Sequence, residues 1–547
     1  MPLYGPGRDY ARSMVLSRRG IAATSQTFAS QSAAQVLARG GSAVDAAITA
    51  NAVLAVTEPM KCGIAGDLFV LHWEAATGKL TGLNASGPAP RALSPAHLTE
   101  QGIAAMPFEG IHAVTLPGAV AGWSAMHARF GKLPWKALFH DAIAFAAEGF
   151  PVPEIVAETW AEPVLFAKIH QHPESVRVFL PGGKPPREGD VFRNSDMARA
   201  LGLIASEGSS AFYKGDIARA ILRTSGRLGG PITAEDLASF APEWVEPISI
   251  DYRGWRVYEL PPNCQGVAAL EMLNIMEASE PAATGFDSAA EMHKRIEAMK
   301  LAYADLRRHN ADPRCYNAPL ERLLSKDYAR ARAALIDPAR ANPDVPAGDA
   351  PGSNTTYLTV VDREGNIASW IQSIFAEFGS AITVEGMGFL LQNRGGGFTL
   401  DATHPNVLAG GKRPFHTIIP GFMERGDRHI GFGIMGGPNQ PMAHAQFVSN
   451  LVDYGMNIQA ALEAPRFTKR TSAGNDVWIE SRVPPRTLEQ LTARGHEVSI
   501  RRAYTQEMGR GQAILHDSAA KVNYAASDPR ADGAAIPEPL PYQSVGL

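Results

Sequence analysis

Cysteine is scarce in this chain, and its scarcity removes two classes of site. The 547 residues include 3 cysteines, Cys62, Cys264 and Cys315, which lie far apart. No CxxC pair and no cluster of cysteine with histidine occurs, so neither a disulfide framework nor a zinc site is predicted. Cys62 falls in a glycine-rich turn, where we expect a small buried side chain. We predict no metal and no cofactor.

An excess of charge of either sign is also missing. Lysine and arginine number 51, and aspartate and glutamate number 55, for a formal net charge of −4. Such a balance provides no electrostatic footprint for nucleic acid, so nucleic-acid binding is not predicted. Hydrophobic residues make up 45% of the chain and charged residues 19%, which is ordinary for a soluble globular enzyme.

Long apolar runs are absent too. No stretch approaches the roughly 18 consecutive apolar residues that a membrane helix needs, so no membrane partner is predicted. Residues 1–19 include four arginines but no apolar core of the kind that signal peptides have. From this composition we expect a cytoplasmic protein.

Among the features that are present, the stretch from Asn354 to Asp362 is the most informative. A polar pair, Thr355 and Thr356, follows a loop dense in proline and glycine and opens a run of β-branched and apolar residues. Because such residues favour strands, 357–361 is predicted as a strand. Two hydroxyls at the start of a buried strand are unusual for packing alone, which makes them candidate site residues.

This strand is predicted to continue into a hairpin. Residues 362–366 have the composition of a turn, and 367–374 is predicted as the second strand. If residue 362 pairs with residue 367, Ser373 lies across the hairpin from the two threonines. Ser373 is therefore a second candidate catalytic hydroxyl.

A hydroxyl at the start of a strand permits N-terminal nucleophile catalysis. If the peptide bond between Asn354 and Thr355 is cut, the new α-amino group becomes a base close to the Thr355 hydroxyl. The reference pKa of such an amine is roughly 7.7–8.0, which suits proton transfer near neutral pH. By spacing alone, an ordinary strand start is the simpler interpretation of the threonine pair.

A series of short motifs surrounds this stretch on both sides. They occupy 58–59, 62–66, 116–122, 232–237, 378–380, 388–393, 412–414, 436–437 and 527–533. Together with 354–366, and in this order, they resemble the γ-glutamyltranspeptidase family of N-terminal nucleophile hydrolases, whose processing site is similar to 354–366. The resemblance covers nearly the whole chain and is specific for the family, though not for its substrate.

The resemblance implies an α+β fold, a four-layer αββα sandwich of the N-terminal nucleophile hydrolase type. It also implies self-cleavage into a large segment, 1–354, and a small segment, 355–547, which holds the remaining 193 of 547 residues. Both segments would form one αββα unit, a heterodimer of cleaved subunits that could dimerise further. The loop 337–354, rich in Pro, Ala, Asp and Gly, has no apolar anchor, and we expect it to be mobile on the surface.

Periodicity predicts several regular elements along the chain. Helices are predicted at 29–39, 42–56 (with a capping box from Ser42 to Asp45), 135–148, 216–223, 266–278 and 289–308. Strands are predicted at 69–73, 388–391, 414–420 and 429–435. On the last helix, the charged residues Glu291, Arg295, Glu297 and Lys300 are expected to form a solvated face.

A double glycine, Gly436 and Gly437, follows the predicted strand 429–435 and precedes a helix predicted from about residue 442 to 452. Free backbone N–H groups and a helix N-terminus at such a place suit an oxyanion hole. The alternative is a tight packing turn. In the family the matching glycines are the oxyanion donors, so the resemblance implies that role here.

Four elements depart from the polar set with which the family grips a γ-glutamyl group. The family's carboxylate-binding arginine is matched here by Ser86, an asparagine by Phe375, and the acid that binds the α-amino group by Gly397. Its serine pair is matched by His416 and Thr417. Because an unpaired substrate charge in a buried site costs several kcal/mol, we predict a rebuilt acyl pocket beside unchanged catalytic parts.

Arg394 is the predicted replacement ligand. It lies in a glycine-rich loop, where its guanidinium fork suits a carboxylate. Alternatively, Arg394 pairs with a structural acid such as Asp401. His416 could bind a carbonyl or carboxylate, or could be a satisfied core histidine, and Asn393 is expected to shape the loop. The predicted substrate-binding residues are Arg394, His416, Thr417 and Phe375.

These observations predict a self-processed amide hydrolase or acyltransferase. It would hydrolyse γ-glutamyl compounds such as glutathione, or related carboxylate-bearing amides, through an acyl-Thr355 intermediate. The Phe-His-Thr and Gln-Asn-Arg-Gly-Gly patterns resemble the branch with oxamate amidohydrolase and cephalosporin-acylase-like members, so a non-glutamyl amidohydrolase is the alternative. A non-catalytic binding protein is the third interpretation. The expected partners are a small amide substrate and the protein's own cleaved subunit.

Overall fold

The computed structural model describes residues 10–343, 345, 354–471 and 474–541. Its strands are β1 (Val15–Ser17), β2 (Ile21–Thr24), β3 (Asp67–Glu74), β4 (Lys79–Ala85), β5 (Phe150–Pro151), β6 (Val191–Phe192), β7 (Glu243–Val245), β8 (Ile248–Tyr252), β9 (Trp255–Glu259), β10 (Asn354–Val361), β11 (Ile367–Phe375), β12 (Gly421–Arg425), β13 (Arg428–Met435), β14 (Phe467–Thr468), β15 (Asp476–Glu480), β16 (Glu497–Arg501), β17 (Arg510–Asp517), β18 (Val522–Ser527) and β19 (Ala535–Pro537).

Its helices are α1 (Thr27–Ala38), α2 (Ala43–Thr57), α3 (Pro95–Glu100), α4 (Ala119–Phe130), α5 (His140–Glu148), α6 (Glu154–Trp160), α7 (Pro163–Ile169), α8 (Pro173–Phe179), α9 (Ser195–Glu207), α10 (Ser209–Tyr213), α11 (Asp216–Arg227), α12 (Ala234–Ala238), α13 (Gly266–Glu277), α14 (Ala289–His309), α15 (Leu320–Leu323), α16 (Lys326–Ala333), α17 (Gln440–Val452), α18 (Ile458–Glu463) and α19 (Pro485–Ala493). Across the described ranges, none of these helices combines the length and the apolar character that crossing a membrane requires.

Two seven-stranded antiparallel sheets form the centre of the fold. The first sheet has the order β19-β2-β10-β11-β3-β4-β7, and the second has the order β1-β18-β17-β13-β12-β9-β8. Helices α1 and α2 cover the outer face of the first sheet, while α13 and α17 cover that of the second. The inner faces meet where β10 packs on β13 and β17. The layers are therefore helix, sheet, sheet, helix, and the predicted αββα sandwich is confirmed.

Strand β10 holds its place because its side chains alternate between two cores. Tyr357 and Val361 lie in the apolar core between the sheets. Leu358 and Val360 lie in the core between the first sheet and its helices. Successive strand residues point to opposite faces, and because both faces of β10 are covered, its polar residues Thr355, Thr356 and Thr359 are buried as well.

The predicted hairpin forms, but its register is one residue off the prediction. Val361, rather than Asp362, pairs with Ile367. The cause lies in the turn, where the Asp362 carboxylate accepts hydrogen bonds from the N–H groups of Glu364 and Asn366 at 3.1 and 3.0 Å. Asp362 is thereby held as a turn residue and is not available as the last rung of the ladder.

The charged residues of α14 contradict the predicted solvated face. Glu291, Arg295, Glu297 and Lys300 are all buried. They form two ion pairs: Arg295 with Glu291 at 3.2 Å, and Lys300 with Glu297 at 2.8 Å. Arg295 also donates to Ser449 of α17. Helical spacing indicates which side chains can pair along the helix, but it carries no information about the segments that cover them.

Three further predictions need correction. Residues 388–391 and 414–420 are not strands, and each makes one isolated bridge, at Leu390 and at His416. The ring nitrogens of Pro414 and Pro420 have no hydrogen to donate to a ladder, so the strand begins only at Gly421. The helix predicted at 135–148 begins as a 3₁₀ turn and becomes α-helical at residue 140.

The loop 337–354 is described in part. Residues 344 and 346–353 lie outside the described residues, so its expected mobility is untested there. Ala341 and Val345 are buried, which contradicts the expectation that the segment has no apolar anchor. The capping box from Ser42 to Asp45 is confirmed at the start of α2, and the buried position of Cys62 is confirmed.

Candidate active site

Thr355 lies at an irregularity near the start of β10. Asn354 pairs with Phe375 and Thr356 pairs with Gln372, so two residues of β11 stand opposite the single residue Thr355. One of these two is Ser373. Bulges of this kind re-aim a side chain and are frequent beside active sites. The predicted proximity of Thr355 and Ser373 therefore arises from the bulge rather than from the predicted register.

Both hydroxyl residues are fully buried. The Ser373 oxygen accepts a hydrogen bond from the N–H of Phe375 at 2.7 Å. Gln440, the first residue of α17, donates from Nε2 to the Thr355 hydroxyl at 3.5 Å. The side-chain oxygen Oε1 of Gln440 accepts a hydrogen bond from the N–H of Ile419 at 3.0 Å. Gln440 thus ties the Thr355 hydroxyl to the N-terminus of α17.

The double glycine lies between β13 and α17, four residues before Gln440. Gly436 has φ 142° and Gly437 has φ 59°, conformations that side chains rarely allow. A 3₁₀ turn, Gly437–Asn439, leads directly into α17. The Gly437 carbonyl accepts a hydrogen bond from Gln265 at 2.8 Å. Because Gln440 opens α17 and contacts the Thr355 hydroxyl, the turn and the helix N-terminus lie close to that hydroxyl.

Arg394 forms the centre of a buried polar cluster beside Thr355. Its Nη1 donates to the Thr417 hydroxyl at 2.9 Å, and its guanidinium lies 4.1 Å from the centre of the Phe375 ring. The acid nearest to it is Asp67, with Nε 3.7 Å from Oδ2, and not the exposed Asp401. Burial lowers the pKa of Arg394 to about 9, and Asp67 opposes that shift.

His416 is held by the same acid. Its Nε2 lies 2.8 Å from Oδ2 of Asp67, and its Nδ1 accepts a hydrogen bond from the N–H of Ile418 at 3.4 Å. Because Nδ1 accepts, the ring's single proton is on Nε2 and is donated to the carboxylate. Burial lowers the pKa of His416 well below its usual value, with a further lowering by Arg394 and Arg413, so the ring is neutral.

Two of the departures from the family pattern have structural explanations. A Cβ placed on Gly397 would lie 2.7 Å from the Phe415 carbonyl, so an acid does not fit at this position without a shift of the chain. The Ser86 hydroxyl donates to Asn84 at 2.7 Å and is fully buried. Asn393 shapes the loop, because its carbonyl accepts the N–H of Ala376 at 3.0 Å.

A cavity of about 320 Å³ adjoins this cluster. Its walls include Phe375 and Thr417 from the Arg394 cluster, and Pro438 from the turn after the double glycine. The remaining walls are mixed in character. Tyr303, Leu306, Phe398 and Phe415 are aromatic or apolar, and the polar or charged side chains are Gln265, Arg307, Asn310, Thr399, His404 and Asn406. The cavity therefore lies between the turn that follows the double glycine and the residues that contact Arg394.

One group of described residues has the proximity that metal ligands need: His293, Glu297 and His496. Its carboxylate already accepts from Lys300 at 2.8 Å, and the two histidines are hydrogen-bonded to each other at 2.8 Å. These contacts link His496 to side chains of α14, and the cluster around Thr355 contains none of these residues. The expectation of no metal and no cofactor stays a prediction.

Sequence reasoning missed Asp67, Gln440 and Gln265. Asp67 directly follows the glycine-rich motif 62–66 and opens β3, and an acid in an otherwise apolar strand start was a usable signal. Gln440 opens a helix after a double glycine, which indicates proximity to any anion held there. Nothing in the local sequence marks Gln265.

Comparison with known proteins places these features in a family. The sequence model of the gamma-glutamyltranspeptidase family matches residues 29–538. A glutathione hydrolase-like YwrD proenzyme from Bacillus subtilis (strain 168) is 36% identical over 529 residues, covering 95% of this chain and 99% of that protein. An oxamate amidohydrolase proenzyme from Klebsiella pneumoniae is 32% identical over 532 residues, covering 95% and 98%. The crystal structure of a cephalosporin acylase from Bacillus halodurans aligns with a TM-score of 0.90 at 39% identity, covering 98% and 99%.

Ser373 offers the first test of the site. Replacing Ser373 by alanine is expected to slow self-cleavage or turnover on the order of tenfold or more, because a hydrogen bond to a reacting group is worth about 1.5–3 kcal/mol. The variant should fold, since one oxygen atom is removed without a change of shape. Rates are compared with wild type at matched thermal stability. Unchanged rates in a stable variant would remove Ser373 from the catalytic set.

Proposed function

The chain belongs to the γ-glutamyltranspeptidase family of N-terminal nucleophile amide hydrolases, and from that premise we propose that Thr355 is its nucleophile, exposed by self-cleavage after Asn354. The observation that carries the proposal is the bulge that sets a buried Thr355 apart from the regular ladder, opposite Ser373 and within reach of Gln440. A merely structural strand start requires neither the bulge nor the glutamine.

In the proposed reaction, the α-amino group of Thr355 takes the proton of its own hydroxyl as the oxygen attacks the amide carbon. The carbonyl oxygen becomes an oxyanion, which the N–H groups at Gly436 and Gly437 stabilise. The ammonium then gives its proton to the leaving amine, and an ester to Thr355 remains. Water, deprotonated by the same amine, attacks this ester and releases the acid, which restores the threonine hydroxyl.

Self-cleavage would leave the two segments joined by the sheet itself. β10 and β11 belong to the small segment, and they lie between β2 and β3 of the large segment. Antiparallel ladders hold β10 to β2 and β11 to β3, so separating the subunits would break two ladders and expose four strand edges. We propose a heterodimer of residues 1–354 and 355–547 that stays assembled after cleavage.

The proposed acyl donor has a carboxylate and no α-amino group. Arg394 is fully buried, and among the described residues its Nε and Nη2 have no hydrogen-bond partner. A guanidinium edge of this kind matches a carboxylate with two parallel hydrogen bonds. The position where the family places the acid for an α-amino group is Gly397, and there is no room for a side chain there.

The second candidate substrate class is γ-glutamyl amides, such as glutathione. A relative with 36% identity is named a glutathione hydrolase-like proenzyme, and a buried acid, Asp67, does lie near Arg394. A non-catalytic binding protein is the third candidate, and the absence of self-cleavage on a denaturing gel would favour it.

Two chromogenic amides separate the first two candidates. Glutaryl-p-nitroanilide and γ-glutamyl-p-nitroanilide differ only in the α-amino group. We expect kcat/KM for the glutaryl compound to be higher by roughly tenfold or more, because an ammonium without a partner in a buried pocket is penalised. A strong preference for the γ-glutamyl compound would restore ordinary γ-glutamyl specificity. Oxamate and glutathione extend the comparison to the substrates of the named relatives.

A further inference from the structure

Asp67 is a buried carboxylate to which the proposed reaction gives no part, although it contacts His416 and Arg394, the proposed ligand of the acyl group. It opens β3, directly across the sheet from Ser373. Its Oδ2 accepts from His416 at 2.8 Å and lies 3.7 Å from Nε of Arg394. All four side chains are fully buried. An acid in this position affects how an anionic substrate binds.

The hydrogen bonds of Asp67 show that it is fixed in place. Besides His416, it accepts at Oδ1 from the N–H of Gly87 at 2.9 Å and from Gln392 at 3.1 Å. Most of its acceptor capacity is thus in use, and its open side faces Arg394. This arrangement favours a role for Asp67 as the counter-ion of Arg394 over a role as the ligand of a substrate ammonium group.

Resting on the proposed function, we propose that Asp67 is a specificity-determining residue, the internal counter-ion that competes with the substrate's carboxylate for the guanidinium of Arg394. Without substrate, Asp67 offsets the charge of a buried arginine. With an anionic acyl donor bound, two carboxylates share one cation in a dry site, and their repulsion weakens binding. The competition lessens if Asp67 takes up a proton and donates it to the incoming carboxylate.

The charges around Asp67 affect the pH at which it takes up a proton. The titratable and charged groups that face it are Arg394, Arg413, His416 and Tyr213. Burial raises the pKa of Asp67 to about 7, against lowering by Arg394 and by its hydrogen bonds. Below that pH the acid is neutral and an anionic donor meets no competitor. Above it the acid is charged, so affinity for the anion falls as pH rises.

The test uses a matched pair of donors in wild type and in Asp67→Asn. Glutaryl-p-nitroanilide carries the carboxylate, and the p-nitroanilide of glutaramic acid carries a carboxamide of the same shape. At about pH 8, where Asp67 is charged, the ratio of kcat/KM for the anionic over the neutral donor should rise at least tenfold in Asp67→Asn. Because a general loss of activity lowers kcat/KM for both donors equally, it does not change this ratio. Asp362→Asn, which neutralises a buried acid in the hairpin turn, should leave the ratio unchanged.

Two results would overturn the proposal. An equal loss with both donors would show that Asp67 only holds His416 and Arg394 in place. A selective loss of γ-glutamyl-p-nitroanilide relative to the glutaryl compound would show that Asp67 binds the substrate ammonium instead.

Binding of glutarate, measured by calorimetry, tests without turnover whether Asp67 weakens the binding of an anionic ligand. In wild type, glutarate should bind at least threefold more weakly at about pH 8 than at about pH 6, and Asp67→Asn should lose most of that difference. The Thr355 amine also titrates in this range, but it is common to both proteins and cancels in the comparison. If no amide is hydrolysed yet this pattern appears, the proposed function fails and the role of Asp67 stands. If Asp67→Asn does not fold, the pH series is measured on Thr355→Ala, which has no free amine at that position, and a flat series contradicts the proposal.

Discussion

Thr355→Ala is expected to remain a single chain of full length and to hydrolyse no amide, with a loss of at least about a thousandfold in kcat. The substitution removes the oxygen that performs two steps: it attacks the preceding peptide bond during processing, and it attacks the substrate afterwards. Wild-type protein should migrate as two fragments on a denaturing gel, and the variant as one.

Thr355→Ser is the matched control for that result. It keeps the hydroxyl and removes a methyl group, so we expect cleavage and turnover to persist at a reduced rate. Thr356→Ala tests the neighbouring hydroxyl, which belongs to the regular ladder opposite Gln372 and should be dispensable for cleavage. Full processing of Thr355→Ala would contradict the assignment of the nucleophile.

Arg394→Ala is expected to give the second largest effect. It should lower kcat/KM for glutaryl-p-nitroanilide by about 2–5 kcal/mol, roughly thirtyfold or more, because truncation leaves the substrate carboxylate buried without a partner. Self-cleavage should continue, since that step acts on Asn354 and Thr355 and uses no acyl ligand.

Arg394→Lys is the control that separates the contribution of positive charge from that of guanidinium geometry. Lysine keeps the positive charge but loses the planar fork and its contact with Phe375, so we expect an activity between those of wild type and Arg394→Ala. If Arg394→Ala retained wild-type kcat/KM for the glutaryl compound, Arg394 would have to be a structural partner of Asp67 only.

Much of the fold could be predicted from local pattern and family resemblance. The hairpin formed by β10 and β11 follows from β-branched runs on either side of an Asp-Arg-Glu-Gly-Asn turn, and α2 begins at the capping box that Ser42 predicts. These elements are determined by neighbours in sequence. The register failed by one residue because the side-chain bonds of Asp362, which decide it, are invisible to hydrophobic periodicity.

Contacts between distant segments could not be predicted in the same way. Helical spacing on α14 indicates which side chains share a face, but not that Arg295 is buried and reaches Ser449 of α17. Similarly, Arg394 was predicted as a substrate ligand with Asp401 as its alternative partner, whereas the fold brings Asp67 to it from 327 positions away in sequence. Asp67 and Gln440 escaped prediction as site residues because their contacts, with Arg394 and with the Thr355 hydroxyl, are made only in the tertiary structure.

The N-terminal residue of the smaller fragment tests the central claim most directly. Purified wild-type protein is separated under denaturing conditions, and the smaller fragment is sequenced from its N-terminus and weighed by mass spectrometry. The sequence should begin Thr355-Thr356-Tyr357, with a free α-amino group and a mass for residues 355–547. An intact chain after prolonged incubation, or a fragment that begins at any other residue, would contradict Thr355 as an N-terminal nucleophile.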